Sequence, residues 1–206
     1  MLRVSPGSCT EAELEAAVDW LRAGKLVAYP TDTFYGLAAD PDSETAIRGL
    51  FALKGREASA AIPLVASSVT QVEMWCGLSQ LSRRLADQFW PGPLSLVCDA
   101  PARVVAAVHA GRRTVAIRVP NHPVARALAA AFGAPVTATS ANRSGETSVD
   151  CAADLPWVDD DRVLVIDGGD TTGGAPSTIV DARDRAPLLV REGAIAWDRV
   201  LHSLQR

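Results

Sequence analysis

At 206 residues, with 48% hydrophobic and 21% charged content, the chain has the size and balance of one globular domain that folds without a disulfide or metal staple. A net charge of −4 argues against a general nucleic-acid binder, and no apolar run approaches the roughly 18 residues of a membrane span. The opening MLRVSPGSCTEAELE has no apolar stretch and turns acidic at once, which argues against a signal peptide and makes the cytoplasm the expected location.

Helical and strand signals alternate from the start. Thr10 and Glu13 form a capping-box pattern, followed by Leu14, Ala17, Val18 and Leu21 at helical spacing until Gly24. Leu26–Tyr29 reads as a buried strand stopped by Pro30, Ser43–Leu53 as a helix, and Ile62–Ala66 as a short strand. A helix over Leu78–Phe89 is broken by Trp90-Pro91-Gly92-Pro93. Strands are expected at Leu94–Cys98 and Thr114–Val119. Pro123 opens a helix that runs to Phe132 and is ended by Gly133. Pro135–Ala138, Arg162–Ile166, Ser177–Asp181 and Leu188–Arg191 read as further strands, and Ala196–Leu204 as a closing helix. This alternation predicts a mixed α/β domain with helices on the faces of a sheet, and the late run of strands predicts some antiparallel pairing.

Cys9, Cys76, Cys98 and Cys151 stand apart with no C-x-x-C pair, and His109, His122 and His202 are equally scattered. Free thiols and no protein-built transition-metal site are the expectation. Charge is uneven. From Arg48 to Arg118 nine basic residues stand against four acidic, and the rest of the chain holds 11 against 20. A basic middle in an acidic protein suits a small anionic ligand, and it also suits ordinary surface variation.

Chemistry concentrates where strands give way to polar loops. Such loops follow Tyr29 (Pro30 to Leu37), Ala138 (Thr139 to Gly145) and Ile166 (Asp167 to Thr178), each rich in hydroxyls, glycine and backbone donors. In open α/β sheets ligands bind beyond the carboxyl ends of strands, and such loops capture phosphate or carboxylate. Any one of them also reads as a plain turn. Lys54-Gly55-Arg56 sets two cations near a helix end, as a phosphate contact or as a solvated terminus. There is no phosphate-binding G-x-x-x-x-G-K-[ST] loop, no dinucleotide fingerprint and no G-x-S-x-G elbow. Covalent catalysis through Ser140 is therefore disfavoured, and Trp90 reads as core or hinge.

The motifs taken in order carry a resemblance. Pro-Thr-Asp-Thr-x-Tyr-Gly-Leu at 30–37, Lys-x-Arg at 54–56, Trp-Pro-Gly-Pro-Leu-Ser-Leu at 90–96 and Val-Ala-Ile-Arg-Val-Pro-x-His-Pro at 115–123 come first. Ser-Ala-Asn-x-Ser-Gly at 140–145, Pro-Ser-Thr-Ile-Val-Asp at 176–181 and Arg-Glu-Gly-Ala-Ile at 191–195 follow. Over about residues 10–197 the chain resembles the YrdC-like threonylcarbamoyl-AMP synthase family, in its short, single-domain form.

The resemblance implies an open, twisted, mixed α/β sheet with flanking helices and a large concave, electropositive cavity. It implies condensation of L-threonine, bicarbonate and ATP to threonylcarbamoyl-AMP and pyrophosphate, with Mg²⁺ arriving on the ATP. A downstream complex would then move the threonylcarbamoyl group to tRNA, with at most a weak tRNA contact by this chain and none with a membrane. By motif position Thr33, Arg118, Ala138 (through its backbone) and Ser177 would take threonine. Arg56, Thr114, Ser140, Asn142, Ser148 and Arg191 would take ATP, and Lys54 and Arg56 would be catalytic. Ala60-Ala61 depart from the family pattern, which carries a polar residue there. Two rival readings share these motifs: an RNA-binding or ribosome-associated module without ATP turnover, and a relative that makes a carbamoyl-adenylate.

Overall fold

The computed structural model describes residues 2–3, 9–55 and 61–205. In chain order the described elements are β1 (Leu2–Arg3), α1 (Glu11–Arg22), β2 (Leu26–Tyr29), β3 (Gly36–Ala38), α2 (Glu44–Lys54), β4 (Leu64–Val65), α3 (Val69–Trp75) and α4 (Gln80–Phe89). Then come β5 (Leu94–Asp99), β6 (Thr114–Arg118), α5 (Pro123–Phe132), β7 (Val136–Thr137), β8 (Thr139–Ser140), β9 (Val163–Asp167), β10 (Thr178–Asp181), β11 (Leu188–Arg191) and α6 (Trp197–Ser203).

The helix ends follow the local chemistry. Thr10 and Glu13 close the capping box on α1, and the Ser43 side chain caps α2. Gly55 ends α2 with φ of 62°, a left-handed turn that a residue with a Cβ adopts only at a cost. Four short elements, β1, β3, α3 and β8, escaped the sequence reading, because two to seven residues are too few to show a period.

The expected mixed sheet is in fact two. One runs β1-β9-β2-β3-β8 and the other β11-β10-β5-β6-β4-β7. Parallel pairs such as β2 with β9 and β10 with β5 sit beside antiparallel ones such as β5 with β6 and β10 with β11. The chain steps from one sheet to the other at Ala138, between β7 and β8. Thr137 clips the sheets together there: its Oγ1 donates to the Leu37 carbonyl at 2.9 Å and accepts from the Ala39 N–H at 2.8 Å. Tyr29 Oη donates to the Thr137 carbonyl at 3.1 Å.

Side chains along the six-stranded sheet point alternately to its two faces. Leu94, Leu96, Cys98, Val115, Ile117 and Val180 face the larger apolar core, which the buried faces of α2 and α4 also enter. Ser95, Thr114, Arg118 and Ile179 face the other way, as the register of β5, β6 and β10 requires. That second face, at the join between the sheets, carries the polar residues. Among the described residues no helix is long and apolar enough to cross a membrane.

Candidate functional site

A cavity of about 410 Å³ opens at the join of the two sheets. Its walls include Thr33, Arg118, Ala138, Ser140, Ser148, Ser177 and Arg191, so seven site residues expected from sequence, from six separate segments, meet in one hollow.

Arg118 ends β6 and is buried, with 6% of its surface exposed. Its Nη1 donates to Asp32 Oδ1 at 2.7 Å, and its Nη2 reaches the Thr31 and Thr33 hydroxyls at 3.2 and 3.3 Å. Among the described residues its Nε has no acceptor. Asp32 is anchored in turn by the Asn121 N–H, which donates to Oδ2 at 3.0 Å. The cation is therefore held in one orientation with donor capacity left for a ligand, as carboxylate recognition requires.

Arg191 closes β11 and donates through Nε and Nη2 to the Ser177 carbonyl at 3.2 and 2.7 Å. Ser177 Oγ lies 2.9 Å from Ser95 Oγ. Arg191 keeps contact with solvent. Even so, its desolvation by the cavity walls and, second, the Arg118 charge hold its pKa below the ordinary arginine value. The guanidinium stays protonated at any physiological pH. Arg118 and Arg191 both face the hollow, and among the described residues no acidic side chain lines its wall.

The Arg191–Ser177 contact depends on a close backbone crossing. A Cβ on Gly193 would stand 2.0 Å from the Pro176 carbonyl oxygen. Across the same crossing the Gly193 and Ile195 N–H groups donate to Thr178 Oγ1 at 2.9 and 3.0 Å, and that hydroxyl donates to the Ile195 carbonyl. The Pro-Ser-Thr and Arg-Glu-Gly-Ala-Ile motifs are thus the two halves of one clasp.

Lys54 and Asn142 lie outside the cavity wall. Lys54 is buried at 4% exposure. Its Nζ donates to the Ser140 carbonyl, to the Asn142 carbonyl at 2.7 Å and to Asn142 Oδ1 at 3.2 Å. Ser140 Oγ donates to Asn142 Oδ1 at 2.6 Å, and Asn142 Nδ2 donates to the Glu146 carbonyl at 2.6 Å. Here Lys54 acts from beneath, holding the loop that presents Ser140. Arg56 and Ala60 lie outside the described residues. Thr114 shares its strand face with Arg118 but sits at the other end of β6. Ala138 spends its N–H on the Pro63 carbonyl at 2.8 Å, so a ligand can use only its carbonyl.

The glycine-rich loop after β9 differs from the sequence expectation. Only its end, at Pro176 and Ser177, lines the cavity, while residues 171–173 prop up the Thr31–Thr33 loop. Thr171 Oγ1 and the Gly173 N–H donate to the Thr33 carbonyl at 3.0 and 2.8 Å, and Thr172 Oγ1 donates to the Asp32 carbonyl at 2.7 Å. Sequence reasoning missed Asp32 and Ser95, although both stand inside quoted motifs. The signal for Asp32 was a carboxylate between two threonines at a strand end, in a chain that places an arginine at another.

A metal would find oxygen ligands here but no cage. Among the described residues no group of three or more His, Cys, Asp or Glu could hold an ion. A hydroxyl-lined hollow fits Mg²⁺ that arrives on a nucleotide, ligated by phosphate and water.

The family model Sua5_yciO_yrdC, described as "Telomere recombination", matches residues 19–193. The threonylcarbamoyl-AMP synthase of Chromohalobacter salexigens is 38% identical over 173 residues, covering 84% of this chain and 94% of that protein. That of Bacillus subtilis is 34% identical over 196 residues, covering 94% of this chain and 57% of that one. The solved structure of Pyrococcus abyssi Sua5 complexed with L-threonine superposes with a TM-score of 0.90 at 33% identity, over 98% of this chain and 60% of that one. The chain thus spans nearly the whole of the first relative and somewhat over half of the other two.

Proposed function

The chain belongs to the Sua5_yciO_yrdC family, and from that premise we propose that it is a threonylcarbamoyl-AMP synthase, joining L-threonine, bicarbonate and ATP into threonylcarbamoyl-AMP and pyrophosphate. The observation that carries this reading is the meeting of Arg118 and Arg191 in one hollow with Thr33, Ser140, Ser148 and Ser177.

Arg118, oriented by Asp32, takes the threonine carboxylate, with Thr33 and Ser177 supplying hydroxyls beside it. Arg191, Ser140 and Ser148 face the nucleotide. Threonine's amine first condenses with bicarbonate, a C–N bond forming as water leaves, to give N-carboxythreonine. Its new carboxylate attacks the α-phosphorus of ATP, an oxygen–phosphorus bond forms, and pyrophosphate leaves with the electrons of the bond that breaks. The nucleophile is already an anion, so the protein has to supply positioning and positive charge rather than a catalytic base. A wall of cations and hydroxyls does that. Mg²⁺ enters as part of the ATP substrate. The product is a mixed anhydride, so it goes to a downstream acyl transfer onto tRNA.

The test is incubation of the protein with ATP, bicarbonate, Mg²⁺ and each amino acid in turn, with pyrophosphate and the adenylate followed by mass spectrometry. Threonine-dependent release of both is the expected outcome. Pyrophosphate release that ignores the amino acid would overturn the reading.

A further inference from the structure

Behind the cavity wall a fully buried hydroxyl meets one that faces the ligand. Ser95 is the second residue of β5 and has none of its surface exposed. It does not line the cavity, whereas Ser177 does. Ser177 immediately precedes β10, the strand that pairs with β5. The two Oγ atoms lie 2.9 Å apart and join residues 82 positions apart in the chain.

Protons and lone pairs decide which hydroxyl donates. A serine hydroxyl has one proton to give and two lone pairs with which to accept. Among the described residues Ser177 Oγ is the one hydrogen-bond partner of Ser95 Oγ. Were Ser177 the donor, the Ser95 proton would be sealed inside the sheet with no acceptor, and a buried donor left unmade is the costly case. Ser95 therefore donates. Ser177 Oγ also accepts from Arg191 Nη2 at 3.3 Å. Both of its lone pairs are then engaged, and its one proton is left for whatever fills the cavity. Arg191 beside it has donors and no acceptor. This part of the wall suits a carboxylate oxygen and disfavours an ammonium group.

We propose that Ser95 is a positioning residue for threonine: by donating to Ser177 Oγ it fixes that hydroxyl as a donor to the substrate carboxylate. The inference rests on the threonine reading given above. Ser95 itself touches no substrate. Without its hydroxyl, Ser177 Oγ regains a free lone pair and its proton regains its rotation. It then meets the carboxylate in the donating sense only part of the time.

The test is calorimetry of L-threonine binding to the full chain, to Ser95→Ala, to Ser177→Ala and to the double variant, with Tm followed for each. Ser95→Ala is expected to weaken threonine binding about fivefold, the scale of one neutral hydrogen bond. In turnover the loss is expected in the threonine KM rather than in kcat, because bound threonine and the transition state use the contact alike. On the Ser177→Ala background Ser95→Ala is expected to add nothing, since it acts through that hydroxyl. Ser95→Thr keeps the donor and is expected to bind threonine as the unsubstituted chain does. A merely structural role would instead lower Tm and add in full to Ser177→Ala. Three results would overturn the inference and leave the synthase reading standing: unchanged affinity in Ser95→Ala, full additivity with Ser177→Ala, or a loss in Ser95→Thr equal to that in Ser95→Ala. Absence of threonine binding by the unsubstituted chain would overturn both.

Discussion

Arg118 Nη1 and Asp32 Oδ1 lie 2.7 Å apart with both side chains nearly buried, so the more enclosed of the two arginines described in the cavity wall meets its ligand already oriented. A charge-assisted contact contributes about 1.5–3 kcal/mol. Arg118→Ala is therefore expected to weaken threonine binding at least about tenfold in calorimetry. Asp32→Asn keeps the shape but removes the countercharge, and it is expected to weaken threonine binding and lower Tm together. Unchanged affinity in both variants would remove the clamp from the mechanism.

Lys54 places a second buried cation under the loop that presents Ser140, as donor to the Ser140 and Asn142 carbonyls and to Asn142 Oδ1. Lys54→Ala strands those acceptors, each at about 1–3 kcal/mol where no water replaces the donor. The expected result is a fall in Tm together with at least about a tenfold loss of threonine-dependent pyrophosphate release. Lost turnover with an unchanged Tm would instead assign Lys54 a direct phosphate contact.

Much of this arrangement was legible in the chain because strong signals are local. The Thr10–Glu13 capping box, the Pro123 start and Gly133 stop of α5, and the apolar runs of β2, β5 and β6 each act over a few residues. The division into two sheets was not, because it hangs on Thr137 and on Ala138 between two strands of two residues each. At the site, motif position named seven residues that share one hollow, but not what they touch. Asp32 was invisible as the partner of Arg118 because they are 86 positions apart. The hydrogen bonds of Lys54 were equally invisible, because its acceptors, backbone carbonyls 86 and 88 positions away, leave no mark in a sequence.

His122 gives stability a pH dependence. The residue precedes α5, and its Nδ1 is buried with no hydrogen-bond partner among the described residues. Burial lowers its pKa below the ordinary 6.5, Asp32 opposes that, and Arg126 adds to it. The unfolded chain therefore binds this proton more readily than the folded one. Its contribution is intact above pH 6.5 and declines as the pH falls below that value. Tm measured across this range is expected to drop on the acid side, and His122→Asn is expected to flatten that part of the curve. An identical slope in the variant would assign the loss to other groups.

Gly193 tests whether the clasp behind Arg191 matters for chemistry. A Cβ there would stand 2.0 Å from the Pro176 oxygen and 2.8 Å from the Ser177 carbonyl carbon and oxygen. All three are backbone atoms, so no side-chain rotation relieves the clash. Relief means moving Ser177 away from Arg191 or opening the 2.8 Å bond from the Ala194 N–H to the Pro176 carbonyl. Forcing extra volume into such a contact costs about 1–3 kcal/mol. Gly193→Ala is expected to lower Tm and to reduce threonine-dependent pyrophosphate release at least about tenfold, since Ser177 and Arg191 both face the ligand. Gly49→Ala is the matched control. It lies within α2 with nothing inside 4 Å of its added Cβ, so helix propensity alone is expected to leave stability equal or raise it by up to about 1 kcal/mol. If the two variants behaved alike in Tm and turnover, the crossing at Gly193 would be incidental to the site.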